Sequence, residues 1–100
     1  MITELAILFV KDGEQDNFQL DFAKAGQFIS SIKGYSGHSL QKCIEHSNKY
    51  VLLVNWEKIE DHTIGSRQSE VYQQWKSLLH HYYDPFPTVE HYETVIENIN

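Results

Sequence analysis

Apolar positions along this chain change period four times, and the changes mark its elements. ITELAILFV, residues 2–10, alternates with Leu5, Ile7 and Phe9 on one face and Ala6, Leu8 and Val10 on the other. Both faces are greasy, so the pattern predicts a strand that needs cover on both sides. From Glu14 the spacing becomes helical, with Phe18, Phe22, Ala25, Ile29 and Ile32 in one stripe. Asp12 with Gln15 resembles a capping box at the start of this helix, and Gly34 stands where a C′ glycine would end it. Gly26 lies inside the helix, where glycine costs about 1 kcal/mol against alanine.

Tyr35 to Ile44 reads as a second strand with His38, Leu40, Lys42 and Ile44 on one face. A polar hairpin, Glu45 to Lys49, leads into YVLLVNW, a β-branched and aromatic run too short for a globular helix. Ile59 to Ile64 makes a polar helical turn that carries His62, and Gly65 breaks the chain after it. Ser69 is the expected N-cap of a second helix with Val71, Trp75, Leu78 and Tyr82 as its buried stripe. Pro85 and Pro87 forbid its continuation, and Thr88 to Ile96 alternates again as a last strand.

The order is β-α-β-β-α-β, a single ferredoxin-like α+β domain over residues 1–100 with a four-stranded antiparallel sheet. Both helices fall on one face of that sheet. The other face is also partly apolar, and a second copy packed sheet to sheet would cover it, so a homodimer is expected.

The formal net charge is −6 and no Lys/Arg cluster occurs, which argues against nucleic acid or an anionic membrane as partner. One cysteine, Cys43, makes no intrachain disulfide and reads as a small buried apolar residue. The first residues lack a basic region, and their apolar run is too short for a signal or a span, so a cytoplasmic location is expected.

Candidate chemistry gathers around Tyr50 to Trp75. Trp56 ends a strand, His62 follows six residues later, and Tyr72 and Trp75 share a helix face at i and i+3. Each has a structural reading beside the functional one: strand-end packing for Trp56, a surface histidine near Glu60 and Asp61 for His62, and helix-on-sheet packing for Tyr72 and Trp75. Asn55 alternates away from Trp56. His80 and His81 are adjacent and diverge on a helix, so they do not share a metal. His91 and Glu93, with His38 as a third ligand, could hold a cation, but the spacing is loose and a place in the dimer interface suits His91 better. No metal site is therefore assigned. No phosphate loop, nucleophile elbow or dinucleotide fingerprint occurs, so no cofactor is expected.

The Trp-ending strand, the polar turn with His62, the Gly-Ser break, the Ser-x-x-Tyr start of the next helix and the tail LLHHYYDPFPTVEHY resemble the antibiotic biosynthesis monooxygenase (ABM) domains over nearly the whole chain. That resemblance implies a dimeric α+β barrel in which the C-terminal strand of each subunit reaches over its partner. It implies a cofactor-independent monooxygenase that oxidises a small aromatic, phenolic or quinol compound with O₂, the substrate supplying the electrons. His62 then stands as catalytic base or anion stabiliser, with Trp56, Tyr72 and Trp75 shaping the substrate pocket. Two other activities belong to the same fold. One is a non-catalytic small-molecule-binding or stress-response dimer. The other is haem degradation, which the sequence disfavours: the first strand has no asparagine, Lys76 falls where a histidine ligand would stand, and His80 is one turn later.

Overall fold

The computed structural model describes residues 1–99. β1 (Ile2–Phe9), α1 (Gln15–Ile29), β2 (Tyr35–Lys42), β3 (Lys49–Trp56), α2 (Glu70–Leu79) and β4 (Val89–Glu93) follow one another in the expected order. They form an antiparallel sheet ordered β2-β3-β1-β4. The fold is the α+β one with a four-stranded sheet and two helices that the periodicity predicted. Strand parity decides what is buried. Glu4, Ala6 and Leu8 of β1 and Val10 just after it, with Tyr50, Leu52, Val54 and Trp56 of β3, face the helices and are buried. Leu5, Phe9, Val51 and Leu53 are half-buried on the opposite face, and Ile7 there is exposed.

Phe18 of α1 is fully buried at the centre of the core. Its ring meets those of Phe22, Tyr50, Tyr82 and Tyr83 edge to face, with centroids 5.1–6.0 Å apart. α1 and α2 pack on one another, Phe22 against Trp75. Gly26 has its packing reason: an added Cβ would stand 3.2 Å from the His38 imidazole, which packs on Phe22.

The element ends depart from the sequence reading in several places. Gln15 accepts from the Gly13 amide at 2.9 Å, while Glu14 is the N-cap and makes no side-chain cap bond, so Asp12 does not cap α1. α1 ends at Ile29, ahead of Gly34, whose φ of +86° serves the turn into β2. Any Cβ there would collide with the Asp61 carboxylate. β2 stops at Lys42, leaving Ile44 exposed and Cys43 half-buried beside Glu45. β4 stops at Glu93, and Val95 and Ile96 are exposed. In α2 Trp75 and Leu79 are the buried pair, with Val71 and Leu78 only half-buried. Ser69 does cap α2, accepting from the Tyr72 amide at 3.2 Å.

Gly65 does not break the chain. It lies inside a single wide π-helical turn, Asp61–Ser66, whose Arg67 amide reaches back to the His62 carbonyl at 3.3 Å. Such turns insert one extra residue per turn and re-aim side chains, and they are frequent at functional sites. Here His62 and Ser66 point inward while Thr63, Ile64 and Gly65 stay exposed. Among the described residues no helix is long and apolar enough to cross a membrane.

Candidate functional site

Between the sheet and α2 lies a cavity of about 320 Å³. Its floor is aliphatic, from Ala6, Leu8 and Leu52 of the sheet and Ile29 of α1. Its lining also carries a polar set, Glu4, His62, Ser66 and Arg67, and an aromatic set, Tyr72, Trp75, His80, Tyr83 and Phe86. Apolar walls with a few convergent polar groups are the usual make-up of a small-molecule site, and this volume sits at the small end of the range.

The polar set belongs to a connected chain of side chains. Trp56 Nε1 donates to Glu4 Oε1 at 3.0 Å, and the same oxygen lies 3.2 Å from His62 Nε2. His62 Nδ1 lies 2.7 Å from His91 Nε2. The His62 ring also stacks on Trp56, centroids 5.5 Å apart and planes at 18°. The topology explains the meeting. Glu4 pairs with Val54 and with His91 in the sheet register, so His91 stands beside it on the helix-covered face. The π-helical turn then lowers His62 onto both.

Glu4 and His62 are 6% and 5% exposed, so neither charged form is well solvated. Burial raises the Glu4 pKa above the usual carboxylate range, against a smaller lowering by the Trp56 hydrogen bond and by Arg67. Burial also lowers His62 to about 4, helped by the positive fields of Arg67 and His91. Both partners move toward their neutral forms. With His62 held neutral, the contact is a hydrogen bond between the Glu4 carboxyl group and an uncharged imidazole rather than a salt bridge. His91 is also lowered, by burial first and Arg67 second.

Of the residues singled out in the sequence, His62, Tyr72 and Trp75 come together in the cavity. Trp56 does not line it: fully buried behind His62, it holds Glu4 and the imidazole in place. His62 is no surface histidine, and His91 turns to the helices rather than to the open sheet face. His38 and His91 sit on β2 and β4, the opposite edge strands, and cannot share a cation. Among the described residues no group of three His, Cys, Asp or Glu side chains converges on a metal position. Glu4 was missed. Its signal was present, since it shares strand parity with Ala6, Leu8 and Val10, and a carboxylate on a buried strand face needs a partner.

The chain's relatives agree with this architecture. Residues 1–78 match the sequence profile of the antibiotic biosynthesis monooxygenase family. An uncharacterized protein of Bacillus subtilis (strain 168), YczJ, is 53% identical over 95 residues, 95% of this chain and all of that protein. A crystal structure of a candidate antibiotic biosynthesis monooxygenase from Bordetella bronchiseptica superposes with TM-score 0.91 at 30% identity, covering 95% of this chain and 97% of that one. SnoaB, a cofactor-independent oxygenase from Streptomyces nogalater, shares the fold with TM-score 0.74 at 19% identity, over 98% of this chain and 95% of its own. The sheet and the two helices are thus those of a family, and the chain belongs to the antibiotic biosynthesis monooxygenase family.

Proposed function

We propose that this protein is a cofactor-independent monooxygenase that oxidises a small phenolic or quinol compound with O₂ in the cavity between the sheet and α2. The observation that carries the reading is the cavity's lining, which joins a carboxyl–imidazole pair to a set of aromatic rings. A flat hydroxyarene fits it with its ring against Tyr72 and Trp75 and its hydroxyl toward Glu4, His62 and Arg67. Ionising the hydroxyl makes the ring electron-rich enough to reduce O₂. A phenol with a free ring C–H and O₂ then yield a quinone and water, the four electrons coming from the substrate. The protein's part is to orient the ring, take up the proton and hold the anion, with Arg67 supplying positive charge.

The chain works as a homodimer in this reading, in the cytoplasm. Support comes from the half-buried Leu5, Phe9, Val51 and Leu53 and the exposed Ile7 on the sheet face that no helix covers. Val95, Ile96 and Ile99 are also exposed, on the segment after β4, where a partner would cover them.

One observation favours a second reading, a dimer that binds without turnover. Both ring nitrogens of His62 already have protein partners, so the imidazole has none free for a ligand. An oxygen-electrode screen of the purified protein against hydroquinones and naphthols separates the two. Uptake matched by quinone formation supports the oxygenase. Saturable binding with no O₂ consumption assigns the cavity to binding alone.

A further inference from the structure

The commitment of both His62 nitrogens raises the question of which group meets the ligand's proton. Glu4 Oε1 accepts from Trp56 and faces His62, whereas its second oxygen has no protein partner among the described side-chain hydrogen bonds, and Glu4 lines the cavity. The neighbouring groups then form an unbroken line. Glu4 meets His62 Nε2, His62 Nδ1 meets His91 Nε2 at 2.7 Å, and His91 is half-exposed on the edge strand β4.

We propose that Glu4 is the residue that exchanges a proton with the bound ligand, and that His62 and His91 carry that proton between Glu4 and water. This rests on reading the cavity as a site for hydroxyarenes. The bookkeeping closes without another reactant. The ligand O–H breaks and its proton forms an O–H bond on the Glu4 carboxylate, leaving an aryloxide. Rotation of the carboxyl group brings the new O–H round to His62 Nε2, and its proton passes there as His62 Nδ1 gives one to His91 Nε2 and His91 Nδ1 releases one to water. Each imidazole ends neutral with its proton moved from one nitrogen to the other and the carboxylate restored; the line run in reverse returns a proton for the product water and resets both rings.

The groups facing Glu4 are few. They are the Trp56 indole from β3, His62 and Arg67 from the π-helical turn and its exit, and His91 from β4. α2 adds Tyr72 to the same cavity, and the segments after it add His80 and Tyr83. Arg67 is the cation among them at neutral pH. Burial, which lifts Glu4 toward neutrality, suits a carboxyl that must be both acceptor and donor in one cycle. His62 is then a positioning and relay residue, and Trp56 fixes both members of the pair.

The test uses 4-nitrophenol, whose ionised form is read by its visible absorbance. In wild-type protein the bound probe is expected to be more ionised than free probe at the same pH. Glu4→Gln keeps an oxygen for Trp56 and an amide for His62 but takes no proton, and is expected to lower the bound aryloxide-to-phenol ratio about tenfold or more. In stopped flow His91→Ala is expected to slow ionisation by about 10²-fold, and added imidazole to restore much of the rate, which a packing defect would not allow. Circular dichroism checks each variant's fold; if Glu4→Gln fails to fold, the His91→Ala rescue decides. Equal ionisation in wild type and Glu4→Gln, a wild type that binds the probe un-ionised, or a His91→Ala rate indifferent to imidazole would each overturn the proposal. Ionisation by Glu4 without O₂ uptake from any hydroxyarene would leave it standing and remove the oxygenase reading. A wild type that binds no phenol removes both.

Discussion

Protonating His62 is a direct probe of the buried pair, because the sign of its effect depends on whether that pair is neutral or ionic. An unfolded histidine titrates near 6.5, and the folded one is lowered to about 4 by burial, Arg67 and His91. Between these values the unfolded chain binds the proton that the folded chain refuses, so stability falls as pH drops. The contribution is fully present above pH 6.5 and is lost by about pH 4; the interval is worth about 3 kcal/mol. Glu4 opposes it, since its raised pKa favours the folded state as pH falls through the carboxylate range. His38, His80 and His91 are lowered too and act in the same direction as His62. The wild-type profile alone therefore mixes several terms, and the comparison with His62→Gln isolates one.

Urea denaturation of both proteins at half-unit steps from pH 7.5 to 4 gives the cost of the substitution at each pH. That cost is expected to shrink by about 3 kcal/mol toward pH 4, because only the wild type has a histidine that the unfolded chain protonates while the folded chain keeps it neutral. An ion pair with Glu4 would do the opposite, the cost of His62→Gln growing as pH falls through neutrality. A growing cost, or one independent of pH, refutes the neutral imidazole.

Other substitutions test other joints of the account. Trp56→Phe removes the indole donor to Glu4 and is expected to raise the Glu4 pKa further, seen as a shifted carboxyl resonance in an NMR titration. Phe18→Ala empties the centre of the aromatic cluster and should cost about 3–5 kcal/mol in denaturant titration. Gly34→Ala is strained by its φ of +86° and by the Asp61 carboxylate, and should lower Tm by several degrees, each kcal/mol being worth about 4–8 °C in a domain of this size. Leu53→Lys on the uncovered sheet face should give a folded monomer in sedimentation velocity; an unchanged dimer would place the interface elsewhere.

The fold was legible because its signals are periodic. A strand apolar on both faces, the 18-22-25-29 stripe and the Ser69 cap each follow from local spacing, and the topology confirmed them. Ends were harder. Ile44 continues the alternation of β2, yet the chain leaves the sheet at Cys43, whose amide bonds the Lys49 carbonyl to begin the hairpin. Gly65 looked like a breaker because glycine often is one, but the wide turn accommodates it without a positive φ.

The site was half legible. His62, Tyr72 and Trp75 could be placed from spacing along one stretch. The Glu4–His62–His91 line joins residues from the first strand, the middle and the last strand, and only the register of β1 with β3 and β4 brings them together. Trp56 announced itself by size, but its role is behind the imidazole and not in the cavity.

A crystal structure grown anaerobically with 1,4-dihydroxynaphthalene tests the hydroxyarene site at Glu4 without intermediary. The ligand is expected in the cavity, its rings against Tyr72 and Trp75 and one hydroxyl within hydrogen-bonding distance of the free Glu4 oxygen. A ligand bound on the uncovered sheet face, or in the cavity with both hydroxyls turned away from Glu4, would contradict it.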